Sequence, residues 1–237
     1  MFTYKGIKSK EMHLRVLNDV SFASPSRDVK MIQVPGRDGD LVMDNGRYES
    51  VIRSILCRLE APTGTNVETL ISQINNWLID DAGFHPFTWE NDPDFKYLAR
   101  VEKDVVSQRV LSRFGKTIID FRIHPIKYLK SSLIEQQITS GTNVENPFSI
   151  EAKPMIRIVG NGDMTLNIGG RPLVLRGISG GCLVDSETQT IMSLDRRLTL
   201  FERMFSPFPV LLFGNNAITF SGSGLQVFIT PRLGALV

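Results

Sequence analysis

Between Val67 and Leu78 apolar side chains recur at steps of three and four residues. Val67, Leu70, Ile71, Ile74, Trp77 and Leu78 therefore share one stripe of a helix that runs to about Ile79. Just ahead, Thr65-Asn66-Val67-Glu68 has the spacing of a capping box, in which the Thr hydroxyl and the Glu carboxylate each satisfy a backbone N–H. On either side of this helix the period changes to two. Thr117, Ile119, Phe121 and Ile123 fall on one face of a half-buried strand, with Ile118, Asp120, Arg122 and His124 on the other. Val51, Ile55, Cys57 and Leu59 share one parity, which Arg53 interrupts. The helical stripe must pack on something, most simply a sheet.

Residues 131–153 turn polar, contain Gly141, Asn143, Asn146 and Pro147, and lose any sustained period, so they read as a connection between two units. Beyond them the pattern is almost wholly β. Pro154 to Val159 is a short apolar run, Gly160-Asn161-Gly162-Asp163 a turn, and Met164, Leu166 and Ile168 alternate with polar residues before Gly169-Gly170 turns the chain again. Further strands are expected at Leu173 to Leu175, Cys182 to Val184, Thr190 to Ser193, Val210 to Phe213, Ala217 to Phe220 and Leu225 to Thr230. Short strands at this spacing predict a sandwich.

The stretch "VPGRDGDLV", residues 34–42, packs glycine, proline and charge together. A phosphate-binding loop would lead into a helix and carry Lys before Ser or Thr, whereas Gly39 is followed by another turn signal at Asp44-Asn45-Gly46. A calcium loop fails at Val42, which occupies the third ligand position after Asp38 and Asp40. Pro35-Gly36 suits the centre of a type II turn and Asp38-Gly39 a tight hairpin, so a turn-rich β connection is the favoured reading.

Of 237 residues 42% are apolar, enough for one large or two modest cores without covalent staples. Twenty-seven basic against 25 acidic side chains give no whole-chain argument for nucleic acid or an anionic membrane. The N-terminal residues lack the apolar core of a signal peptide, and nothing offers about 20 uninterrupted apolar residues for a membrane span. A soluble protein made in the cytoplasm is the expectation. Cys57 and Cys182 lie far apart, without zinc or dithiol spacing, and are expected to be buried thiols.

Candidate chemistry is thin. His13, His85 and His124 have no partner at metal-binding spacing. Asp80, Asp81, Glu90, Asp92 and Asp94 could supply a paired-carboxylate hydrolase, but they straddle Gly83, Pro86 and Pro93 and read as a solvated loop. No Gly-x-Ser-x-Gly elbow exposes a serine, and Ser179-Gly180-Gly181-Cys182 and Ser221-Gly222-Ser223-Gly224 read as bends. Trp77 is placed in the core; Trp89, with Phe84, Phe87, Phe95 and Tyr97 nearby, is assigned to packing rather than to a sugar platform or a subunit contact. The residues point to binding or assembly, with no catalytic residue, cofactor or metal.

In that order the segments resemble the distal tail proteins, hub subunits of siphophage tails that infect Gram-positive bacteria. The likeness rests on "VPGRDGDL" followed by Gly46-Arg47-Tyr48, the helix ending Trp77-Leu78, and "FRIHPIKYL" from Phe121 to Leu129. It continues with Asn146-Pro147, "AKPMIRIVGNGDMTLNIGG" from Ala152 to Gly170, Val184-Asp185-Ser186-Glu187, and Phe208-Pro209 leading to "GNNAITF". Pro207 and Phe213 stand where family members often carry Gly and Pro.

The resemblance implies a mainly β protein. An N-terminal hub domain over residues 1–130 would hold a β-sandwich, one helix and an extended hairpin; residues 131–153 would be a linker, and residues 154–237 a galectin-like β-sandwich. It implies a homo-hexameric ring at the virion tail tip, joining the major tail tube protein or its terminator to the tail-associated tip or lysin protein. The ring would leave a channel for the tape measure protein and genomic DNA, and a receptor-binding protein is a further potential partner. Pro35, Gly36, Arg37, Asp38, Gly39, Asp40, Asn45 and Gly46 are the expected subunit-interface residues. Two alternatives stay open: another baseplate protein sharing the hub domain, and a carbohydrate-binding adsorption module. The latter is disfavoured because residues 150–237 contain no Trp, His or Tyr.

Overall fold

The computed structural model describes residues 1–17, 23–102, 105–221 and 224–237. Gly222 and Ser223 of the expected bend lie outside the described residues. The chain forms two compact units: Met1–Lys127 with Leu236–Val237, and Tyr128–Ala235. Among the described residues it is mainly β, with one α-helix.

Unit 1 begins with β1 (Phe2–Tyr4), β2 (Ile7–Lys8) and β3 (Leu14–Val16), followed by β4 (Arg27–Ile32), β5 (Leu41–Tyr48) and β6 (Val51–Glu60). Then come α1 (Val67–Ile79), β7 (His85–Trp89), β8 (Asp92–Val101), β9 (Val106–Leu111) and β10 (Phe114–Ile123). Seven of these strands form one sheet in the order β2-β1-β7-β8-β10-β6-β3, with β9 added against β10. The sheet is strongly curled. Phe2 and Tyr4 on β1 meet Phe121 on β10 at ring distances of 5.6 and 5.2 Å, although two strands intervene. In a flat sheet those strands would stand about 14 Å apart. Phe87 completes the aromatic centre, 5.5 Å from Phe2 and 5.2 Å from Phe121.

The paired strands β6 and β10 show why the curl is stable. Every odd residue of β6, from Val51 to Leu59, is buried, and Ile119 pairs with Ile55 and Thr117 with Cys57 on the same face. Arg53 keeps this parity instead of breaking it: it is 1% exposed, directly opposite Phe121. Burial pulls its pKa down, opposed by the Tyr97 hydroxyl and the Asp92 carboxylate. Burial and then Asp92 in turn raise the pKa of Tyr97. Lys127 closes this buried polar group, its Nζ 2.7 Å from Asp92 and 4.2 Å above the Phe95 ring.

Helix α1 lays Val67, Leu70, Ile74, Trp77 and Leu78 on that core. Trp77 Nε1 donates to the Tyr4 carbonyl at 3.3 Å, which satisfies its one donor. The helix starts one residue later than the capping-box reading placed it. Asn66, not Thr65, is the N-cap, and its Oδ1 accepts from the Thr69 N–H at 3.0 Å. From extended backbone the Asn66 amide oxygen reaches the third helical N–H, so the Thr hydroxyl is not needed there.

After β11 (Ile126–Leu129), unit 2 contains β12 (Gln136–Ile138), β13 (Thr142–Asn146), β14 (Met155–Val159), β15 (Gly162–Ile168) and β16 (Arg171–Ile178). It continues through β17 (Cys182–Asp185), β18 (Thr190–Ser193), β19 (Gly214–Ser221) and β20 (Gln226–Thr230) to β21 (Gly234–Leu236), with which the chain returns to unit 1. Two antiparallel sheets, β12-β20-β14-β17-β18 and β13-β19-β15-β16, enclose Ile156, Ile158, Leu166, Ile168, Leu175, Val184, Ile218 and Val227. Residues 131–153, read from sequence as a connection, carry β12 and β13 and so contribute a strand to each sheet.

Val210 to Phe213 is not a strand. Leu211 exchanges backbone hydrogen bonds with Ala152 at 3.0 and 2.9 Å, while buried Asn216 takes the Leu212 N–H on Oδ1 at 2.9 Å and donates to its carbonyl at 2.8 Å. A single backbone bridge, flanked by the Asn146 and Asn216 side-chain amides, stands where a strand was expected. The two cysteines are buried thiols in separate units, each pushed up to about 12 by burial.

Candidate assembly interface

The eight residues singled out from the sequence all lie on one element, the hairpin of β4 and β5. Pro35 and Gly36 occupy the centre of a type II turn: the Arg37 N–H donates to the Val34 carbonyl at 3.1 Å, and Gly36 has φ +81°. Arg37, Asp38, Gly39 and Asp40 complete an exposed tip. Asp38-Gly39 is a bend within this longer tip, not a separate tight hairpin, because the strands begin pairing only at Ile32 and Leu41.

Asn45 and Gly46 sit elsewhere, inside β5. Arg27 pairs with Tyr48 but Val29 pairs with Asp44, so β5 has gained residues relative to β4. Gly46 takes φ +72° in that bulge, a conformation only glycine adopts without strain. Asp28 holds the bulge, accepting from Asn45 Nδ2 at 2.9 Å and from Arg47 Nε. Those bonds, Asn45 first, keep its carboxyl below the usual range. Arg27 adds an ion pair to Asp44 at 3.1 Å and lies over the Tyr48 ring.

Beyond this polar base the hairpin is apolar on both sides. The register puts Ile32, Leu41 and Met43 with Lys30 on one face, and Val29, Met31 and Val42 with Asp44 on the other. Met31 is 58% exposed, Val42 55% and Met43 51%. A two-stranded ribbon has little stability of its own in water, and large apolar surface left open on a folded protein marks a docking face.

A second apolar surface was missed in the sequence. On the outer side of the unit 1 sheet, Val106 of β9, Ile118 of β10 and Leu56 of β6 lie directly opposite one another, with Ile52 further along β6. All four are at least 40% exposed. The signal existed: Ile52, Leu56 and Ile118 are apolar at even positions of strands whose odd positions already fill the core. Polar neighbours frame the row, with Ser54 donating to Asp120 and Arg122 held by Glu102.

Four carboxylates of the acidic stretch are drawn to separate partners. Asp80 pairs with Lys5, Asp81 lies 3.2 Å from His85, Glu90 binds the N-terminal ammonium at 2.8 Å, and Asp92 takes Lys127 and Tyr97. Asp80, Asp81 and Glu90 are exposed in a loop and a turn, as expected, but Asp92 and Asp94 lie on β8, which forms a hairpin with β7 and with it carries Phe87, Trp89 and Tyr97 into the core. Among the described residues no group of three His, Cys, Asp or Glu converges on a metal position, and no helix is long and apolar enough to cross a membrane.

No family model and no curated protein matches the sequence. Among solved structures, SPP1 Dit, described as a paradigm of hub adsorption apparatus in Gram-positive-infecting phages, superposes with a TM-score of 0.75 at 17% identity over 96% of each chain. The chain has the Dit fold. The phage P2 baseplate in its calcium-activated conformation aligns more loosely, with a TM-score of 0.45 at 11% identity over 92% of this chain and 90% of that one.

Proposed function

We propose that the chain is the hub subunit of a phage tail tip, a structural protein and not an enzyme. The observation that carries this reading is the Dit fold over 96% of the chain, in combination with a hairpin whose two faces both need cover. Unit 1 builds a ring of six copies. Pro35, Gly36, Arg37, Asp38, Gly39, Asp40, Asn45 and Gly46 shape the hairpin that reaches the next subunit, whose Ile52, Leu56, Val106 and Ile118 row receives it. A closed ring needs two different faces on every subunit, and these two differ in shape and share their apolar character. The ring joins the tail tube to the tip protein and leaves a passage for tape measure protein and DNA. It resides in the virion, after synthesis in the host bacterial cytoplasm.

Light scattering with negative-stain imaging tests this. Six copies of 26.6 kDa give about 160 kDa and a ring, in the free protein or on addition of the tip protein. A monomer under both conditions would sink the reading.

A further inference from the structure

On one side the two sheets of unit 2 end in β18 and β16. Residues 194–206 run as a strap from one edge to the other. Along β18, the Ser193 N–H donates to the Leu198 carbonyl and the Leu200 N–H to the Ile191 carbonyl, both at 2.9 Å. Along β16, the Phe205 N–H donates to the Val174 carbonyl at 2.9 Å, and the Val174 N–H to Ser206 Oγ at 3.0 Å. The strap thus covers two open edges, a sufficient reason for its backbone path. Leu200, Met204 and Phe208 turn inward and pack on the core, which is sufficient reason for them.

Leu198, Phe201 and Phe205 have no such reason. They point outward and are 66%, 50% and 58% exposed. Arginines surround them. The Arg176 guanidinium lies 5.0 Å from the centre of the Phe205 ring, Arg203 Nη1 fills the space beside Gly177, and Arg196 and Arg197 open the strap. The acids of the strap are Asp195, which accepts from Ser193 Oγ and the Arg197 N–H, and Glu202. Exposed phenylalanine ringed by arginine is the composition of a protein-binding hot spot. One face of Phe205 is taken by Arg176 and Phe201 meets Phe208 edge-on, so the rings are not open platforms for a base or sugar.

We propose that this ridge docks a second tail protein through an apolar groove rimmed by carboxylates. The ridge belongs to unit 2 and the hairpin to unit 1, and the source of the partner rests on the tail-hub reading. The probes are the proteins encoded beside this chain, each purified and titrated against the full-length protein by interferometry. Wild type binds one of them, and Phe201→Ser with Phe205→Ser weakens binding about tenfold or more. Arg196→Glu with Arg197→Glu weakens it as well and removes most of its salt dependence. Both variants still form the ring, which keeps this outcome distinct from a failure of the hub reading. Binding unchanged in both variants, no binding by wild type, or capture only by vesicles of anionic lipid would overturn the proposal.

Discussion

The β6/β10 ladder and the β4/β5 ladder are both antiparallel pairings from the same unit, yet their side chains obey opposite rules. In β6 every odd residue is buried and every even one exposed, whereas β5 is exposed along its length up to Tyr48, where it becomes half-buried. The first ladder is completed by its own chain, since α1 and the curled sheet cover its inner face. The second is completed by nothing among the described residues. The difference teaches that alternation records which face a chain covers for itself. A strand pair with apolar residues on both faces is waiting for cover from elsewhere, which is the physical content of the assembly reading.

The sharpest break is at Phe121, which touches Phe2, Tyr4 and Phe87 at the centre of unit 1. Phe121→Ala should cost about 3–5 kcal/mol. Trp77 and Trp89, the two tryptophans of the sequence, are both buried in unit 1, so urea unfolding followed by their fluorescence isolates this unit. A loss below about 1 kcal/mol would mean that the aromatic centre is not what holds the curl.

Met31→Asp with Val42→Asp should do the reverse. Both residues lie on one face of the hairpin and both are more than half exposed. The stability of the single chain should move by no more than about 0.5 kcal/mol, because no packing is lost. The proposed ring should dissociate in light scattering, because two carboxylates would be buried at each contact. An intact ring would remove the hairpin from the interface, and a large loss of single-chain stability would show that the chain already covers this face.

The parts legible in the sequence were those where one side chain per period has one job. The stripe of α1, the alternation around Phe121 and most unit 2 strands follow from counting apolar positions. The failures have a common cause in polar side chains that do backbone work. Asn66 took the cap from Thr65, Asn216 bonds the Leu212 backbone where a strand was expected at Val210 to Phe213, and Asp28 stabilised a bulge where Asn45-Gly46 reads as a turn. Arg53 misled in another way, for a lone charge inside an apolar parity looks like a break until Tyr97 and Asp92 are brought to it by β8, far along the chain. The candidate interface was half visible: its glycines mark the turn and bulge, but the apolar row across β9, β10 and β6 exists only once register is known.

The finest test concerns what fixes the hairpin before anything covers it. Its base is held by polar bonds to Asp28, not by burial, and those bonds depress the Asp28 carboxyl pKa in the folded chain. A depressed folded value means that the contribution is fully present above the ordinary aspartate pKa of about 3.9 and fades as pH falls through the lower folded value. The side-chain amide resonances of Asn45 and the Nε–H of Arg47 should therefore stay fixed from neutral pH to about 4 and shift only below it. Asp28→Asn should leave both signals flat throughout, while the unit 1 core signals of the variant remain those of wild type. A midpoint at or above about 3.9 would mean that the bulge is not organised by Asp28, and its geometry would then rest on the other contacts at the base, Arg27 with Asp44 and Tyr48 among them.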